Sequence, residues 1–364
     1  MIVIIGAGPV GCYLASLLAE EFEVTVFEEH RSVGLPIQCT GIVTQEIYKF
    51  VPKKNNFVIN QVGDVRIYAP NNKHIKLKLE KPDLIIDRQK FDTYFYKQAK
   101  KKGVKFVFNH RFISLNKNSL SVMDLKTKEI KRVKYDYLIG ADGPLSAVAK
   151  NTRIIKKRNY FIGLQAIIKK KNNNIIDFYP LKQGFAWVVP EDRNTLRIGV
   201  ASRTNPKGCN EKLKKLLKKY KGKILAKQGG LVPLFDPWSS ISKENIFLAG
   251  DAAGFVKATT GGGLVPGLKS AEILAHSINN NLSYEAGIYL HLYPSLWLHL
   301  EMRKLMDSFT KTEWNQLVKD LKTKEAKKML QKVSRDKLFQ LLLSVALKKP
   351  KIMKYGIKHF GALF

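Results

Sequence analysis

The sequence predicts an α/β protein (α+β overall): a Rossmann-like nucleotide-binding domain with an interleaved antiparallel-sheet substrate domain and C-terminal helices. Three observations carry this prediction. A glycine fingerprint follows the first apolar stretch of the chain. Two later apolar stretches each end in a small residue next to an aspartate. Short segments with the alternating pattern of strands fill the intervals between them.

The N-terminal fingerprint is the most specific of these features. Four branched apolar residues, which predict a strand, run directly into Gly6, Gly8 and Gly11, in the spacing G-x-G-x-x-G. The first glycine permits a tight turn, the second lets a pyrophosphate approach the backbone, and the third lets a helix pack close to the strand. The predicted helix covers Cys12–Glu20. With Pro9 in the turn before it, its N-terminus offers free N–H groups and partial positive charge to phosphates.

A second predicted strand follows at Val24–Phe27 and ends in Glu28. An acid at this place in such folds binds the ribose 2′-hydroxyl of a dinucleotide. Strand, turn, helix, strand and acid therefore occur in the order that a dinucleotide site requires. We predict a bound dinucleotide here rather than a structural glycine turn.

The kind of dinucleotide is indicated far downstream, where an apolar strand over residues 246–249 ends at a glycine and an aspartate. A glycine triplet and an apolar helical stretch, Leu264 to Ile278, come next. A carboxylate at a strand end can hold a polyol hydroxyl, and a helix N-terminus can face an electron-poor ring. FAD has both parts, a ribityl chain and an isoalloxazine, whereas NAD has neither. The residues that we expect to hold this end of FAD are Gly250, Asp251, Gly261, Gly262, Gly263 and Leu264.

These segments resemble a known superfamily of flavoproteins. Gly250-Asp251 and Asp142-Gly143 are similar to the two later FAD signatures of the para-hydroxybenzoate-hydroxylase-like flavoproteins. Residues 84–92 resemble the strand-to-helix segment of that superfamily, which implies that Arg88 lies near the cofactor. The resemblance also implies cofactor contacts at Asp142 and Gly143, although Asp142 alone could serve only to hold a turn.

Within that superfamily, three segments are closer to the geranylgeranyl reductase family, which includes the archaeal digeranylgeranylglycerophospholipid reductases. They are Pro36–Gly41, Gly184–Pro190 and Gly250–Gly267. The resemblance implies an FAD-dependent oxidoreductase acting on a CH–CH group. In it, hydride from reduced flavin saturates isoprenoid C=C bonds of membrane lipids or their precursors.

The substrate-side pattern of that family is only partly present. Trp187 and Pro190 stand in their expected places, but Phe185 replaces a tyrosine and Val189 replaces a phenylalanine. The closing glycine pair is Gly199 and an alanine. We expect Trp187, Phe185, Tyr179 and Pro190 to contact the substrate, with core packing of a strand as the alternative for each.

Three residues are candidates for a catalytic role. The resemblance implies that the loop containing Cys39 lies close to the flavin ring, where the thiol could shape the ring's face or assist proton delivery. A small buried residue in a loop is the alternative. Backbone N–H groups near Gly262 and Gly263 are expected to stabilise negative charge on the reduced flavin. The sequence indicates no metal site, since the spacing of its three cysteines suggests none.

The scattered cofactor segments predict discontinuous domains. We assign residues 1–60, 85–155 and 236–283 to the FAD-binding domain, 61–84 and 156–235 to the substrate domain, and 284–364 to a C-terminal helical region. Leu296–Leu300 and the basic, apolar tail Ile352–Phe364 could lie in a bilayer interface. Helices that cap the substrate domain are the alternative.

Composition constrains partners and location. The chain of 364 residues has 63 Lys and Arg against 30 Asp and Glu, a net charge of +33. This excess favours anionic partners, with compositional bias of the source genome as the alternative. No nucleic-acid-binding module is recognisable, so we expect no nucleic acid and favour association with an anionic membrane. The predicted location is cytoplasmic, with a peripheral position at the inner face of the cell membrane left open.

The electron donor and two other functions stay open on the sequence alone. NAD(P)H and a ferredoxin-like carrier are both compatible with it, and an acidic carrier would suit the positive charge. One alternative function is an aromatic monooxygenase that uses FAD and NAD(P)H. The other is a non-catalytic flavoprotein that binds a partner or a membrane surface.

Overall fold

The computed structural model describes residues 1–155 and 157–332, together with Ser334, Asp336 and Gln340. Of the predicted C-terminal helical region 284–364, residues 284–332 are described. Most residues after 332, including the tail Ile352–Phe364, lie outside the described residues. The described part contains two large sheets, a small third sheet and several helices.

The first sheet is parallel except at one edge, and its inner strands are short, apolar and largely buried. Its central strand is the N-terminal apolar stretch, and every residue of that strand is buried. Such continuous apolar strands are typical of parallel sheets covered by helices. In spatial order the strands are β16 (Ser242–Lys243), β17 (Ile246–Leu248), β10 (Tyr137–Gly140), β1 (Ile2–Ile5), β2 (Val24–Phe27) and β6 (Lys105–Val107).

The second sheet has longer strands that are mainly antiparallel and alternate between two faces. In spatial order they are β15 (Lys223–Pro233), β11 (Tyr160–Lys169), β14 (Thr195–Ser202), β13 (Gly184–Pro190), β12 (Ile175–Leu181), β4 (Val58–Tyr68), β5 (His74–Ile86) and β3 (Ile42–Val43). The pair β12–β4 is parallel, and it joins the two chain segments of this sheet. A third, antiparallel sheet contains β7 (His110–Asn116), β8 (Ser119–Asp124) and β9 (Ile130–Lys134).

The helices pack on both large sheets. They are α1 (Pro9–Leu18), α2 (Arg88–Lys101), α3 (Ala147–Thr152), α4 (Pro206–Tyr220), α5 (Leu264–Asn279), α6 (Tyr284–His291), α7 (Tyr293–Ser308), α8 (Lys311–Asp320) and α9 (Lys324–Lys332). Helix α1 packs on strands of the first sheet, whereas α4, α8 and α9 pack on strands of the second. Short 3₁₀ helices cover Gln45–Lys49 and Gly250–Ala253. In the part of the chain that the structure describes, none of these helices is both long and apolar enough to cross a bilayer.

The largest core surrounds the parallel sheet. Phe57 packs edge-on against Phe91 of α2 at a centroid distance of 5.2 Å, and Phe95 follows one turn later. Asp87 begins this helix, because its carboxylate accepts a hydrogen bond from the N–H of Lys90 at 3.0 Å. The core therefore fixes the strand ends at which the site is built.

One predicted helix has different bounds in the structure. The first helix covers Pro9–Leu18, so it begins three residues before the predicted start at Cys12 and ends two residues before the predicted end at Glu20. Proline is favoured at the first helical position, where its missing N–H costs nothing.

Candidate active site

A cavity of about 360 Å³ lies between the two large sheets. Its walls come from the glycine turn after β1, the loop around Cys39, one face of the antiparallel sheet and the beginning of α5. We call it the main cavity. Its volume falls in the range of roughly 300–1,000 Å³ that is usual for ligand sites.

The turn between β1 and α1 needs its three glycines for different reasons. Gly6 has φ +104°, and a Cβ there would lie 2.5 Å from the carbonyl oxygen of Ala141. A Cβ at Gly11 would lie 2.1 Å from the oxygen of Gly6, so the helix is in direct contact with the turn. A Cβ at Gly8 would meet no atom within 4 Å, and Gly8 borders the main cavity. The backbone at Gly8 is therefore open to a ligand.

Pro9 also borders the main cavity, whereas Glu28 lies on the other side of the turn. The Glu28 carboxylate accepts hydrogen bonds from the N–H of Ala7 at 2.7 Å and of His30 at 2.9 Å. Its position at the end of β2 brings a carboxylate against the glycine turn, as the sequence predicts. It is not part of the cavity wall.

The second signature, after β10, divides its two residues between two tasks. The Asp142 carboxylate accepts hydrogen bonds from the N–H groups of Ala147 at 2.7 Å and Val148 at 3.2 Å, at the beginning of α3. Burial raises the pKa of this carboxyl, while these hydrogen bonds oppose the rise. Asp142 therefore holds the turn. Gly143 has φ +75° and borders the main cavity with open space where a Cβ would be.

The third signature, after β17, brings a buried carboxylate to the cavity. Gly250 has φ +61° and begins a 3₁₀ turn, and the N–H of Gly250 donates to the Ser270 hydroxyl at 3.1 Å. Asp251 borders the main cavity. Burial raises the pKa of the Asp251 carboxyl, while the charges of Arg88 and Arg158 act in the opposite direction.

The beginning of α5 faces the same space. Gly261, Gly262, Gly263 and Leu264 all border the main cavity. Gly263 is the N-cap residue, and no side chain caps the helix, so its first-turn N–H groups have no intrahelical acceptor. A Cβ at Gly263 would lie 2.5 Å from an oxygen of Asp251, so a larger residue there would have to displace the Asp251 carboxylate. An uncapped helix N-terminus beside a carboxylate matches the two needs of a flavin ring and its ribityl chain.

Arg158, which the sequence reading missed, joins the second and third signatures. Its guanidinium donates to the carbonyl oxygens of Pro144 at 3.0 Å, Asp251 at 3.1 Å and Ala252 at 2.6 Å. Burial lowers the pKa of this guanidinium, and nearby Tyr160 and Asp251 oppose that shift. Arg158 therefore fixes the distance between two loops that come from distant parts of the chain.

The loop around Cys39 supplies the opposite wall. The N–H of Gly41 donates to the Cys39 sulfur at 3.3 Å, and Cys39 borders the main cavity. Arg88 also borders the cavity, and its guanidinium makes two 3.0 Å hydrogen bonds to Asp92. Burial alone would lower the pKa of Arg88, but Asp92 and the neighbouring Cys39 sulfur outweigh it and raise the pKa. The guanidinium is therefore charged and held beside the thiol.

Arg197 holds this loop from the antiparallel sheet. Its guanidinium donates to the carbonyl oxygens of Thr40 at 2.5 Å and Ile86 at 3.1 Å, and to the Glu191 carboxylate at 2.9 Å. A Cβ at Gly41 would lie 2.7 Å from the same guanidinium. A residue of the second sheet thus positions the loop that contains Cys39, a link that no local sequence pattern reveals.

The face of the antiparallel sheet toward the cavity is flat and apolar. The Trp187 indole lies over Gly199 of the neighbouring strand, where a Cβ would be 2.2 Å from the ring. The indole N–H donates to Gln165 at 3.1 Å, and the Gln165 amide donates to Gln228 at 2.8 Å. This hydrogen-bonded chain crosses the sheet and fixes the tryptophan. The sequence reading missed both glutamines.

Phe185 and Phe178 extend this wall on either side of the tryptophan. Phe185 is 5.7 Å from Trp187 between ring centroids, and Phe178 pairs with Trp187 across the strands. The Phe185 ring reaches to 3.2 Å from where a Cβ of Gly261 would be. The apolar wall and the beginning of α5 therefore face each other within one cavity.

Two predicted substrate residues lie elsewhere. Tyr179 follows Phe178 and lies on the opposite face of the sheet, where its hydroxyl bonds to that of Tyr220 at 2.7 Å and its ring stacks on Tyr68. Pro190 is buried at the end of β13, and its carbonyl accepts from Asn60 at 3.0 Å. Because successive strand residues point to opposite faces, Tyr179 cannot share a wall with Phe178.

A buried lysine and histidine lie behind the glycine triplet. Lys257 is 7% exposed, borders the main cavity and forms an ion pair with Asp336. His299 of α7 is 1% exposed and hydrogen-bonds Thr259 at 2.6 Å. Burial, and then the charge of Lys257, lower the pKa of His299 to about 3, so the imidazole is neutral. Among the described residues, no group of three or more His, Cys, Asp or Glu side chains could hold a metal ion.

Comparison with known proteins agrees with this geometry. A family model of the FAD binding domain matches residues 1–173. Digeranylgeranylglycerophospholipid reductase 3 of Methanosphaera stadtmanae is 27% identical over 93% of this chain and 97% of its own length. The digeranylgeranylglycerophospholipid reductase of Methanococcus vannielii is 25% identical over 97% of this chain and 96% of its own.

Solved structures show the same fold. The crystal structure of a geranylgeranyl bacteriochlorophyll reductase-like protein from Thermoplasma acidophilum superposes with a TM-score of 0.84 at 21% identity, covering 98% of both chains. The p-nitrophenol 4-monooxygenase of Pseudomonas putida superposes with a TM-score of 0.62 at 15% identity, covering 100% of this chain and 97% of its own. Likeness at these identities is a likeness of fold.

The fold, the site and the matched domain together define an FAD-dependent oxidoreductase. The glycine turn and the α5 N-terminus are the parts that fit FAD in this chain. The relatives confirm the chain's resemblance to the geranylgeranyl reductase family, which its sequence motifs first indicated.

Proposed function

We propose that the protein is a reductase that saturates isoprenoid C=C bonds of the geranylgeranyl type in membrane lipids or their precursors. One observation carries the proposal: a flat apolar wall, with Trp187 fixed by Gln165, faces the uncapped beginning of α5 across one cavity. Such a wall suits a flexible hydrocarbon chain that offers few polar groups for recognition. The printed names of the reductase relatives support the same substrate class.

The chain's own residues then divide the work of binding FAD. We assign the space at Gly8 to the pyrophosphate, which would accept from N–H groups at the N-terminus of α1 after Pro9. We assign Glu28, at the glycine turn, to a ribose and Asp251 to a ribityl hydroxyl. When bound and reduced, FAD supplies the hydride for the reaction.

The remaining residues prepare the substrate side. The N–H groups at Gly262 and Gly263 favour negative charge at the edge of the cavity that α5 faces. Trp187, Phe185 and the small residues beneath them hold the hydrocarbon chain in place and exclude water.

Saturating a double bond needs a proton on the carbon next to the one that receives hydride. We assign its delivery to the Cys39 thiol, held beside Arg88 at the cavity wall.

We further propose where the reaction occurs and what drives it. The substrate is a lipid, so we place the protein in the cytoplasm at the inner face of the cell membrane. The described cysteines are free, which is compatible with a reducing compartment. NAD(P)H or a ferredoxin-like carrier would supply electrons, and the net charge of +33 favours an acidic carrier.

Anaerobic turnover tests the proposal. Holoprotein reduced with dithionite is incubated with a digeranylgeranylglycerol phospholipid, and the lipid is analysed by mass spectrometry. We expect products heavier by two hydrogen atoms for each bond saturated, and none with oxidised holoprotein. A second assay in air tests the alternative. Unchanged lipid in the anaerobic assay, together with oxygen consumption and hydroxylation of an aromatic compound by the reduced protein in air, would show a monooxygenase instead.

A further inference from the structure

One surface of the molecule exposes large aromatic side chains that a water-facing surface rarely carries. Trp238 is 90% exposed, Leu290 71%, Tyr289 58% and Trp297 45%. We call these four residues the aromatic face. Contiguous exposed apolar surface of this kind marks an interaction site.

Tyr293 links the elements that carry these residues through its ring contacts. Phe235 packs on Tyr293 at a centroid distance of 5.5 Å, and Tyr293 packs on Tyr289 at 4.9 Å. Trp238 lies three residues beyond Phe235 in the chain, so their Cα atoms are at most about 11 Å apart. Trp297 lies four residues after Tyr293 on α7, and residues four apart share one helix face.

The loop that carries Trp238 is ordered by its own hydrogen bonds. The Asp236 carboxylate accepts from the N–H of Trp238 at 3.0 Å and from the hydroxyl of Ser239 at 2.9 Å. The indole is therefore held outward by a turn built around Asp236, and its exposure is a property of the folded loop.

Charge is distributed unevenly around this face. No Lys or Arg occurs between Lys227 and Lys243 or between Lys269 and Arg303, although the chain has 63 such residues. The aromatic face lies inside these two stretches. At its border, Lys49 and Lys269 have side chains that are 69% and 45% exposed and pair with neighbouring glutamates.

A second cavity of about 310 Å³ lies beside the helices that carry Tyr289, Leu290 and Trp297. Leu292, between α6 and α7, and Leu296 of α7 line this cavity together with Lys49 and Lys269. Lys257 and Val265 line both this cavity and the main cavity, so the two adjoin each other. The aromatic face therefore lies where a lipid could pass from outside the protein toward the site.

We propose that the aromatic face docks on an anionic lipid bilayer. Tryptophan and tyrosine favour the membrane interface, since one end of each ring is apolar and the other is polar. The net charge of +33 draws the protein to anionic headgroups, whereas it opposes close approach of a second copy of the chain. The choice of a bilayer rests on the proposed function, because the lipid substrate resides there.

Vesicle sedimentation tests the docking surface. The FAD-loaded protein is mixed with vesicles of phosphatidylglycerol and phosphatidylcholine in equal amounts, and with vesicles of phosphatidylcholine alone. We expect binding to the mixed vesicles, and weaker binding to the neutral ones. In the double variant Trp238→Ser, Trp297→Ser, the partition coefficient should fall about tenfold or more for each tryptophan.

The matched control is the double variant Ile130→Ser, Leu225→Ser, which removes side chains that are 60% and 53% exposed on two other sheets. It should bind like the unaltered protein. Equal binding by the tryptophan variant, or no binding by any form, would overturn the proposal. So would light scattering that shows a dimer which the tryptophan variant breaks, since the face would then join two copies.

Reduction of lipid in detergent separates this inference from the proposed function. Detergent presents the substrate without a bilayer, so the tryptophan variant should retain its activity there. If no form reduces lipid in detergent, the proposed function fails, and the sedimentation result still decides whether the aromatic face binds a membrane.

Discussion

Gly199 lies directly beneath the indole of Trp187, at a distance that leaves no room for a side chain. A Cβ at Gly199 would be 2.2 Å from the ring, so any larger residue must displace the tryptophan. The glycine on β14 and the tryptophan on β13 therefore form one unit of the apolar wall.

Replacing this glycine tests the wall. In Gly199→Val we expect a loss of about 1–3 kcal/mol of stability through overpacking, and a higher KM for lipid at unchanged FAD content. Thermal unfolding and steady-state kinetics measure the two effects. The control is Gly63→Ala on β4 of the same sheet, where a Cβ would meet nothing closer than 3.8 Å. Equal behaviour of the two variants would contradict the role assigned to Trp187.

The glycine turn offers a pair of variants with opposite expected effects. Gly8→Ala should fold with an unchanged Tm but lose FAD, because its Cβ would meet no protein atom within 4 Å and would enter the space assigned to the pyrophosphate. Gly6→Ala should lower the stability of the apoprotein itself. The φ angle at Gly6 is +104°, and the added Cβ would lie 2.5 Å from the carbonyl oxygen of Ala141. Visible absorbance and thermal unfolding separate the two. A yellow, fully loaded Gly8→Ala protein would show that FAD does not pass over this turn.

Proton delivery by Cys39 predicts a defect confined to turnover. Cys39→Ser should retain FAD and its visible spectrum close to normal, while kcat falls by about 10²-fold or more. Cys209→Ser is the control, because that buried thiol lies on α4, away from the cavity. Unchanged turnover in Cys39→Ser would remove the thiol from the mechanism.

The N–H groups at the beginning of α5 predict a redox effect. Gly262→Leu should make the reduction potential of bound FAD more negative and lower kcat by about 10²-fold, as when one preorganised donor is lost. Potentiometric titration of the holoprotein measures the potential directly. A variant that binds and reduces FAD normally would refute the role of this helix N-terminus.

The buried His299 predicts a dependence of stability on pH. Its pKa is lowered from 6.5 to about 3 in the folded state, by burial and then by Lys257. The unfolded chain therefore takes up a proton below pH 6.5 that the folded chain refuses, and stability falls as pH falls from 6.5 toward 3. Denaturant unfolding at pH 7 and pH 5 should show this loss, and it should be smaller in His299→Gln, whose side chain has no proton to gain. An equal loss in both proteins would assign the effect to other groups.

Features encoded within a few neighbouring residues could be predicted from the sequence. The glycine turn, the end of β17 and the helix from Arg88 are examples, because each depends on a strand, a turn residue or a cap next to it in the chain. The first helix begins earlier than predicted because Pro9 is already helical.

Features that depend on strand register could not be predicted in this way. Phe178 and Tyr179 are adjacent and both aromatic, and only the pairing of β12 with β13 decides which one faces the cavity. The contacts of Gln165 with Trp187 and of Arg158 with Asp251 join residues 22 and 93 positions apart. No periodicity or local motif encodes such pairs.

Arg197 has a consequence for attempts to alter specificity. It lies on β14, two residues before Gly199, and its guanidinium donates a hydrogen bond to the carbonyl oxygen of Thr40, next to Cys39. Substitutions on this strand that reshape the apolar wall would therefore also disturb the position of the Cys39 thiol. Substrate selectivity and reaction rate would then change together. A library aimed at other chain lengths of the proposed substrate is better confined to β12, which does not pair with β14.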